Sequence, residues 1–389
     1  MKCFSLDNGP LMIEKREFGF AMFEGWMLRH KSFDTTEKLV DFLGETAPRD
    51  VYFSCAYYED PETQMEKKGW IGADLVFDID ADHIPTSCDK FHDQWTCCQC
   101  GFIGKGFTPE KCPACGGEKF DEDTWPCEIC LASAKHEAVK LLDFLMKDFG
   151  FSRKELRIYF SGHRGYHVHV EERAVQDLDS IARKEIVDYV CGLGLKISFQ
   201  GVDKSGTGTL ILDDLGWRGR IAKGIYDIVY EARAEDYWKI GLRGNVADTM
   251  IKNKPIILRN LSESKPWSAV KGVGPETWKK MMEYSAMSRS SSIDTVVTTD
   301  THRLIRLGET LNGKTGLKKT GFPVSTIDDF DPFKSAVAFE EDTATVSVSN
   351  APRFRLGDQT FGPYKNSKVE LPMAAALLLI CRNRAEATD

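Results

Sequence analysis

No apolar run in this sequence approaches the roughly 20 residues that a helix needs to cross a bilayer, so nothing predicts a membrane span. Residues 1–14 lack the basic start and apolar core of a secretory signal, and the expected location is cytoplasmic. Basic residues are in deficit: 51 Lys and Arg against 59 Asp and Glu give a formal net charge of -8. That excludes a protein coating nucleic acid with its whole surface, but a groove needs only local basic residues. Apolar residues at 42% and charged residues at 28% are ordinary for a globular chain, and 389 residues suffice for two or three domains.

Cysteine is what the chain has in excess. Eight of its twelve cysteines fall between Cys88 and Cys130, six of them in CxxC pairs. In a reducing compartment such clusters predict metal sites rather than disulfides. Cys97, Cys98 and Cys100, followed by Cys112 and Cys115, have the shape of a zinc ribbon, two thiolate knuckles around a hairpin. Either Cys97 or Cys98 could lead the first knuckle; CxxC spacing to Cys100 favours Cys97. Cys88, His92, Cys127 and Cys130 make a second candidate set, with the ribbon inserted between its two ligand pairs. Four protein ligands leave no open coordination position, so both sites read as structural.

The stretch that organises the chain is 70–82, WIGADLVFDIDAD. Leu75, Val76, Phe77 and Ile79 predict a strand, which turns Asp78 and Asp80 to one face and Phe77 and Ile79 to the other. Two carboxylates held so close share cations, share a proton, or lie solvated at a strand end. The motif alone does not choose among these.

Before it, 14–33 alternates around a turn at Glu24 and Gly25 and predicts a hairpin, 34–44 a short helix and 51–58 a strand. Apolar spacing predicts a helix over 131–149, stopped by Gly150. Residues 156–170, LRIYFSGHRGYHVHV, predict two strands around a glycine-bounded turn. Ser161, His163, Arg164 and His167 gather there, as a phosphate cradle or simply a polar hairpin tip. A helix is predicted over 174–191, glycine-rich loops near 201–219 and mostly helices to 284. In 293–319 a β-prone run lies between Asp294 and Asp300, followed by Arg303, Arg306, Lys314, Lys318 and Lys319 against one acid, Glu309. A terminal helix is expected over 371–386.

GADLVFDIDADH, SGHRGYH, and IDTVVTTDTHRLIR with LNGKTGL, in this order, resemble the catalytic small subunit of archaeal and eukaryotic DNA primase, the archaeal form more closely. The likeness runs from REFGF at Arg16 to the C-terminal helix. It implies that Asp78, Asp80 and Asp294, with Asp300 as the fallback, hold two Mg²⁺ or Mn²⁺ ions. It implies that Ser161, His163, Arg164, His167, Arg306 and Asn312 contact the nucleotide, although relatives often carry histidine at 312 and some carry arginine at 163. Cys88, His92, Cys127 and Cys130 are similar to the family's zinc knuckle, whereas the Cys97, Cys100, Cys112 and Cys115 ribbon looks like an extra module. Relatives tend to have a longer leader before REFGF, so some N-terminal contacts are expected to be missing.

The expected architecture is α/β (α+β), a primase-type core with a mixed sheet. The core comprises 1–87, 131–195 and 291–389, with a peripheral zinc module over 88–130 and a helical insert over 196–290. The expected activity is template-directed joining of NTPs, and also dNTPs, into short primers on single-stranded DNA. A large primase subunit and the replication machinery are the expected partners. A repair primase-polymerase would share the same motifs, and a non-catalytic zinc-ribbon scaffold would keep its function without Asp78.

Overall fold

The computed structural model describes residues 4–200, 210–242, 244–265 and 270–388. The chain divides into two units, one of Met1–Val139, Ser152–Lys184 and Ser292–Asp389, the other of Lys140–Phe151 and Glu185–Ser291.

In the first unit, β1 (Phe18–Ala21) turns Phe18 and Phe20 into the core and pairs antiparallel with β2 (Met27–Lys31). The turn between them uses Gly25 at φ +90°, a conformation that costs glycine little. Helix α1 (Thr36–Thr46) starts where the Thr35 side chain accepts from the Lys38 N–H, and it buries Leu39 and Leu43 against the same core. The strand expected over 51–58 is split into β3 (Asp50–Ser54) and β4 (Ala56–Tyr58). Buried Arg16 explains the break, because its guanidinium donates to the Ser54 carbonyl at 2.8 Å, to the Tyr57 hydroxyl at 2.7 Å and to Asp74 at 2.6 Å. β5 (Trp70–Ala73) pairs with β4, and β6 (Leu75–Asp80) carries the two aspartates.

The cysteine-rich segment forms α2 (Asp89–His92) and a small sheet of β7 (Gln94–Cys97), β8 (Ile103–Lys105) and β9 (Phe120–Asp123) in the order β8-β7-β9. The expected helix follows as α3 (Glu128–Lys147), then β10 (Leu156–Phe160) and β11 (Gly165–Val170). The helix expected over 174–191 is two: α4 (Arg173–Gln176) and α5 (Ser180–Cys191). Asp179 makes the interruption, since its carboxylate accepts from the Ala182 N–H at 2.8 Å and restarts the helix.

The second unit is helical where described beyond 210. Helices α6 (Gly216–Glu231), α7 (Ala234–Lys239), α8 (Asn245–Ser262) and α9 (Pro275–Arg289) bury Ile221, Ile225, Met250, Ile257, Trp278 and Met281. Of the glycine-rich stretch predicted near 201–219, residues 201–209 lie outside the described residues.

Back in the first unit, the run expected as β is instead α10 (Thr295–Thr299). Its β-branched residues yield to a cap, because Asp294 accepts from the N–H groups of Val296 and Val297. β12 (Leu304–Arg306) and β13 (Thr320–Phe322) then complete two four-stranded sheets, β12-β3-β1-β2 and β13-β10-β11-β6. After α11 (Pro332–Ser335), β14 (Thr343–Ala351), β15 (Phe354–Leu356), β16 (Gln359–Phe361) and β17 (Tyr364–Pro372) lead to α12 (Met373–Cys381). The terminal helix is thus shorter than expected. Asn383 turns at φ +55°, and β18 (Ala385–Ala387) returns to pair with β14.

The fold is α+β, but the sheets are not mixed. Every pair among the described strands is antiparallel. The hairpin β10–β11 inserts β11 between β10 and β6, so the strands that run in the same direction never become neighbours. No helix among the described residues is long and apolar enough to cross a membrane.

Candidate active site

β6 turns Phe77 and Ile79 into the core and leaves Asp78 and Asp80 on the open face. Opposite them on β11, His167 is paired with Asp78 and Gly165 with Asp80. The His167 Nε2 lies 3.4 Å from Asp78 Oδ1. Asp294 arrives from α10, its N–H donating to the Asp78 carbonyl at 2.8 Å. Burial, followed by the charges of Asp80 and Asp294, pushes the Asp78 carboxyl up to about 7. Three carboxylates therefore converge, and a cation there would relieve their repulsion. Asp300 is placed elsewhere, with its carboxylate accepting from the His302 N–H at 2.9 Å.

Ser161, His163, His167, Arg306 and Asn312 line a cavity of about 360 Å³ that also takes in Asp78 and Asp80. The turn between β10 and β11 is held from inside, with Ser161 Oγ accepting from the N–H groups of His163 at 3.3 Å and Gly165 at 3.2 Å. Gly162 sits at φ +81°, where an added Cβ would lie 2.9 Å from the Asn312 Cβ. Asn312 and Thr315 pack onto this turn, donating to the carbonyls of Ser161 at 3.4 Å and Gly162 at 2.5 Å. Arg306 is anchored by Asp50 at 2.6 Å and by the Leu311 carbonyl at 2.9 Å. Burial alone would raise Asp50, but Arg306, the Gly313 N–H and Arg49 hold it below the usual carboxylate range.

Arg164 is not on the cavity wall. It is buried on the other side of the turn, with Nη1 2.7 Å from Asp82 and Nη2 2.9 Å from Asp93 and 3.2 Å from the Cys130 sulfur. Burial disfavours its charge, yet Asp82, Cys130 and Asp93 hold the guanidinium above its ordinary value. Geometry thus makes this arginine a brace between the turn and the cysteine-rich segment. The signal that could have shown this is the adjacent acid in FHD, since buried Asp93 follows His92 and bonds its Nδ1 at 2.6 Å.

Both cysteine sets assemble. The ligand atoms of Cys88, His92, Cys127 and Cys130 all lie within 4.8 Å of one another, as do those of Cys97, Cys100, Cys112 and Cys115. Sulfur separations of 3.3 to 3.5 Å in the first set and 3.6 and 3.7 Å in the second are near the edge length of a tetrahedron around zinc. The residues fit such an ion, and Asp93, bonded to the other ring nitrogen of His92, orients it as a carboxylate behind a metal-binding histidine typically does. Cys98 is exposed and stands outside the ribbon set, which leaves Cys97 in it.

The basic residues expected in 303–319 reach the site unequally. Arg303 and Lys314 also line the cavity. Lys319 is fully buried behind it, 3.4 Å from His169 Nε2. Burial, followed by the Arg306 charge, pulls this lysine down to about 7. Burial together with Lys314, Arg382, Arg164 and Arg306 keeps His163 well below its usual value, so its imidazole is neutral.

Residues 118–324 match the family model described as DNA primase small subunit. Among curated relatives named DNA primase small subunit PriS, that of Cenarchaeum symbiosum is 32% identical over 97% of this chain and 93% of its own. Its counterpart in Methanothrix thermoacetophila is 34% identical over 98% and 94%, and that of Picrophilus torridus 35% over 84% and 79%. With the carboxylate pair, the cysteine sets and the Ser161 turn following one another along the chain, and relatives matched over nearly its whole length, the chain belongs to the DNA primase small subunit family.

Proposed function

We propose that this chain joins ribonucleotides into short primers on single-stranded DNA, with Asp78, Asp80 and Asp294 holding Mg²⁺ or Mn²⁺. The observation that supports this best is one cavity lined by Asp78, Asp80, the Ser161 turn and Arg306, with the Asp294 charge acting on Asp78 beside it. Cations held there supply charge that stabilises the attacking 3′ oxygen and the leaving pyrophosphate. Arg306, fixed by Asp50, presents a preset guanidinium to the triphosphate. Lys314 and the Ser161 hydroxyl add donors, and His167 holds Asp78 in register. Asn312 and Arg164 act behind them, one under the turn and the other beside Cys130.

Zinc in the two cysteine sets would fasten the 88–130 segment, and template contact, partner contact or stapling of that segment is the role proposed for its ribbon. A large primase subunit is the proposed partner, and dNTPs are proposed as alternative substrates. The test is de novo synthesis on single-stranded DNA with labelled nucleotides, comparing the parent with Asp78→Asn/Asp80→Asn. Short products from the parent alone support the assignment. Equal products from the double variant, with folding verified, would overturn it.

A further inference from the structure

We infer that Asp80, Asp82 and His163 form a separate cation site beside the polymerising centre, one that takes a divalent transition metal such as Mn²⁺ in preference to Mg²⁺. Each offers a ligand atom, and these atoms lie within 4.8 Å of one another. The resemblance assigns His163 to the nucleotide and gives Asp82 no role, yet His163, on the wall of the cavity with Asp80, also meets Asp82. The short turn after β6 folds Asp82 back, its N–H donating to Asp80 Oδ1 at 3.0 Å, so the two carboxylates face the same space. His163 comes from the opposite side, on the turn before β11.

The second observation is the imidazole itself. His163 is 5% exposed, and its Nε2 is buried with no hydrogen-bond partner. A buried polar atom without a partner is costly, and a metal ion bridging it to two carboxylates would satisfy it. Arg164 neutralises part of Asp82, leaving the pair with Asp80 still net negative. The donor set decides the ion. Two carboxylates and a neutral imidazole suit Mn²⁺ and its neighbours, whereas Mg²⁺ prefers oxygen ligands and keeps its water. The site shares Asp80 with the proposed catalytic trio, so its consequence for synthesis rests on that proposal, though occupancy does not. An ion here would sit between the carboxylate strand and the turn that carries His163.

The test is pulsed electron paramagnetic resonance of Mn²⁺ bound to the full-length chain whose cysteine sites have first been filled with zinc. The parent, His163→Gln, His167→Gln and Asp82→Asn are compared at equal zinc content. The parent is expected to show coupling to a directly bound ¹⁴N that persists in His167→Gln and vanishes in His163→Gln. Mn²⁺ should bind about ten-fold more weakly or worse in His163→Gln and Asp82→Asn, the scale on which even outer-shell partners act. No ¹⁴N coupling in the parent, or coupling lost in His167→Gln but kept in His163→Gln, would overturn the inference. Primer synthesis by the parent in Mg²⁺ alone reads the catalytic proposal independently, so the two failures are distinguishable.

Discussion

The backbone N–H of Asp294 donates to the carbonyl of Asp78 at 2.8 Å, which ties the cap of α10 to the strand that carries the other two carboxylates. Asp294 thus does two things with one side chain, capping a helix and adding charge beside Asp78. Substitution separates them.

Asparagine caps a helix about as well as aspartate. Asp294→Asn is therefore expected to fold like the parent while losing about 10²-fold or more in nucleotide incorporation, the scale of removing one preorganised electrostatic group. Asp294→Ala should be equally inactive and also lose about 1 kcal/mol of stability with the cap. Single-nucleotide extension rates and urea unfolding measure both, and parental activity in Asp294→Asn would remove this residue from the centre.

Arg164 should matter to the fold more than to nucleotide affinity. Removing it leaves buried Asp93 and half-buried Asp82 without their shared cation, and breaking a buried ion pair from one side costs roughly 3–5 kcal/mol. Arg164→Ala is expected to lower the urea midpoint by that measure and to weaken zinc retention through Cys130. A stable variant with normal zinc content and weakened triphosphate binding would place this guanidinium on substrate instead.

Much of this was readable along the chain. Alternation in 75–80 placed Asp78 and Asp80 on one face, and the cysteine spacing singled out both sets. Local signals failed where a distant or capping group overrides propensity. Arg16 splits a strand by taking its carbonyls, Asp294 converts a β-prone run into a helix, and Asp179 restarts one. Arg164 was assigned from its motif, but its direction is set by Asp93, 71 residues earlier. The residues around Arg164 do not report that partner; only the FHD at 91–93 does, from the far end of the cysteine-rich segment.

Gly165 and Gly44 should respond to alanine in opposite ways. A Cβ on Gly165 would lie 2.1 Å from the Ile79 carbonyl oxygen, so β11 could not approach β6 closely enough to hold His167 opposite Asp78. Gly165→Ala is expected to cost about 1–3 kcal/mol, as overpacking does, and to abolish extension. Gly44 lies within α1 with open space around its added Cβ, and Gly44→Ala should gain about 0.5–1 kcal/mol. Thermal unfolding of the two variants decides both.

Lys319 gives the chain a pH-dependent stability whose sign follows from its burial. Its amine, donating to the Arg306 carbonyl at 2.8 Å, is drawn from an ordinary 10.5 down to about 7 in the native state. Between those values the unfolded chain holds a proton that the native chain has released, so stability rises with pH across that window. Below about 7 both states are protonated and the parent bears the whole penalty, a few kcal/mol at about 1.4 per unit. Lys319→Met removes the group, so its advantage over the parent should be largest near pH 7 and shrink steadily towards pH 10. Asp78 titrates near 7 as well, and urea unfolding from pH 7.5 upward keeps its contribution out. A difference between parent and variant that stays constant over that range would mean that the lysine is charged in the native protein, with Asp78 and Glu171 holding it so.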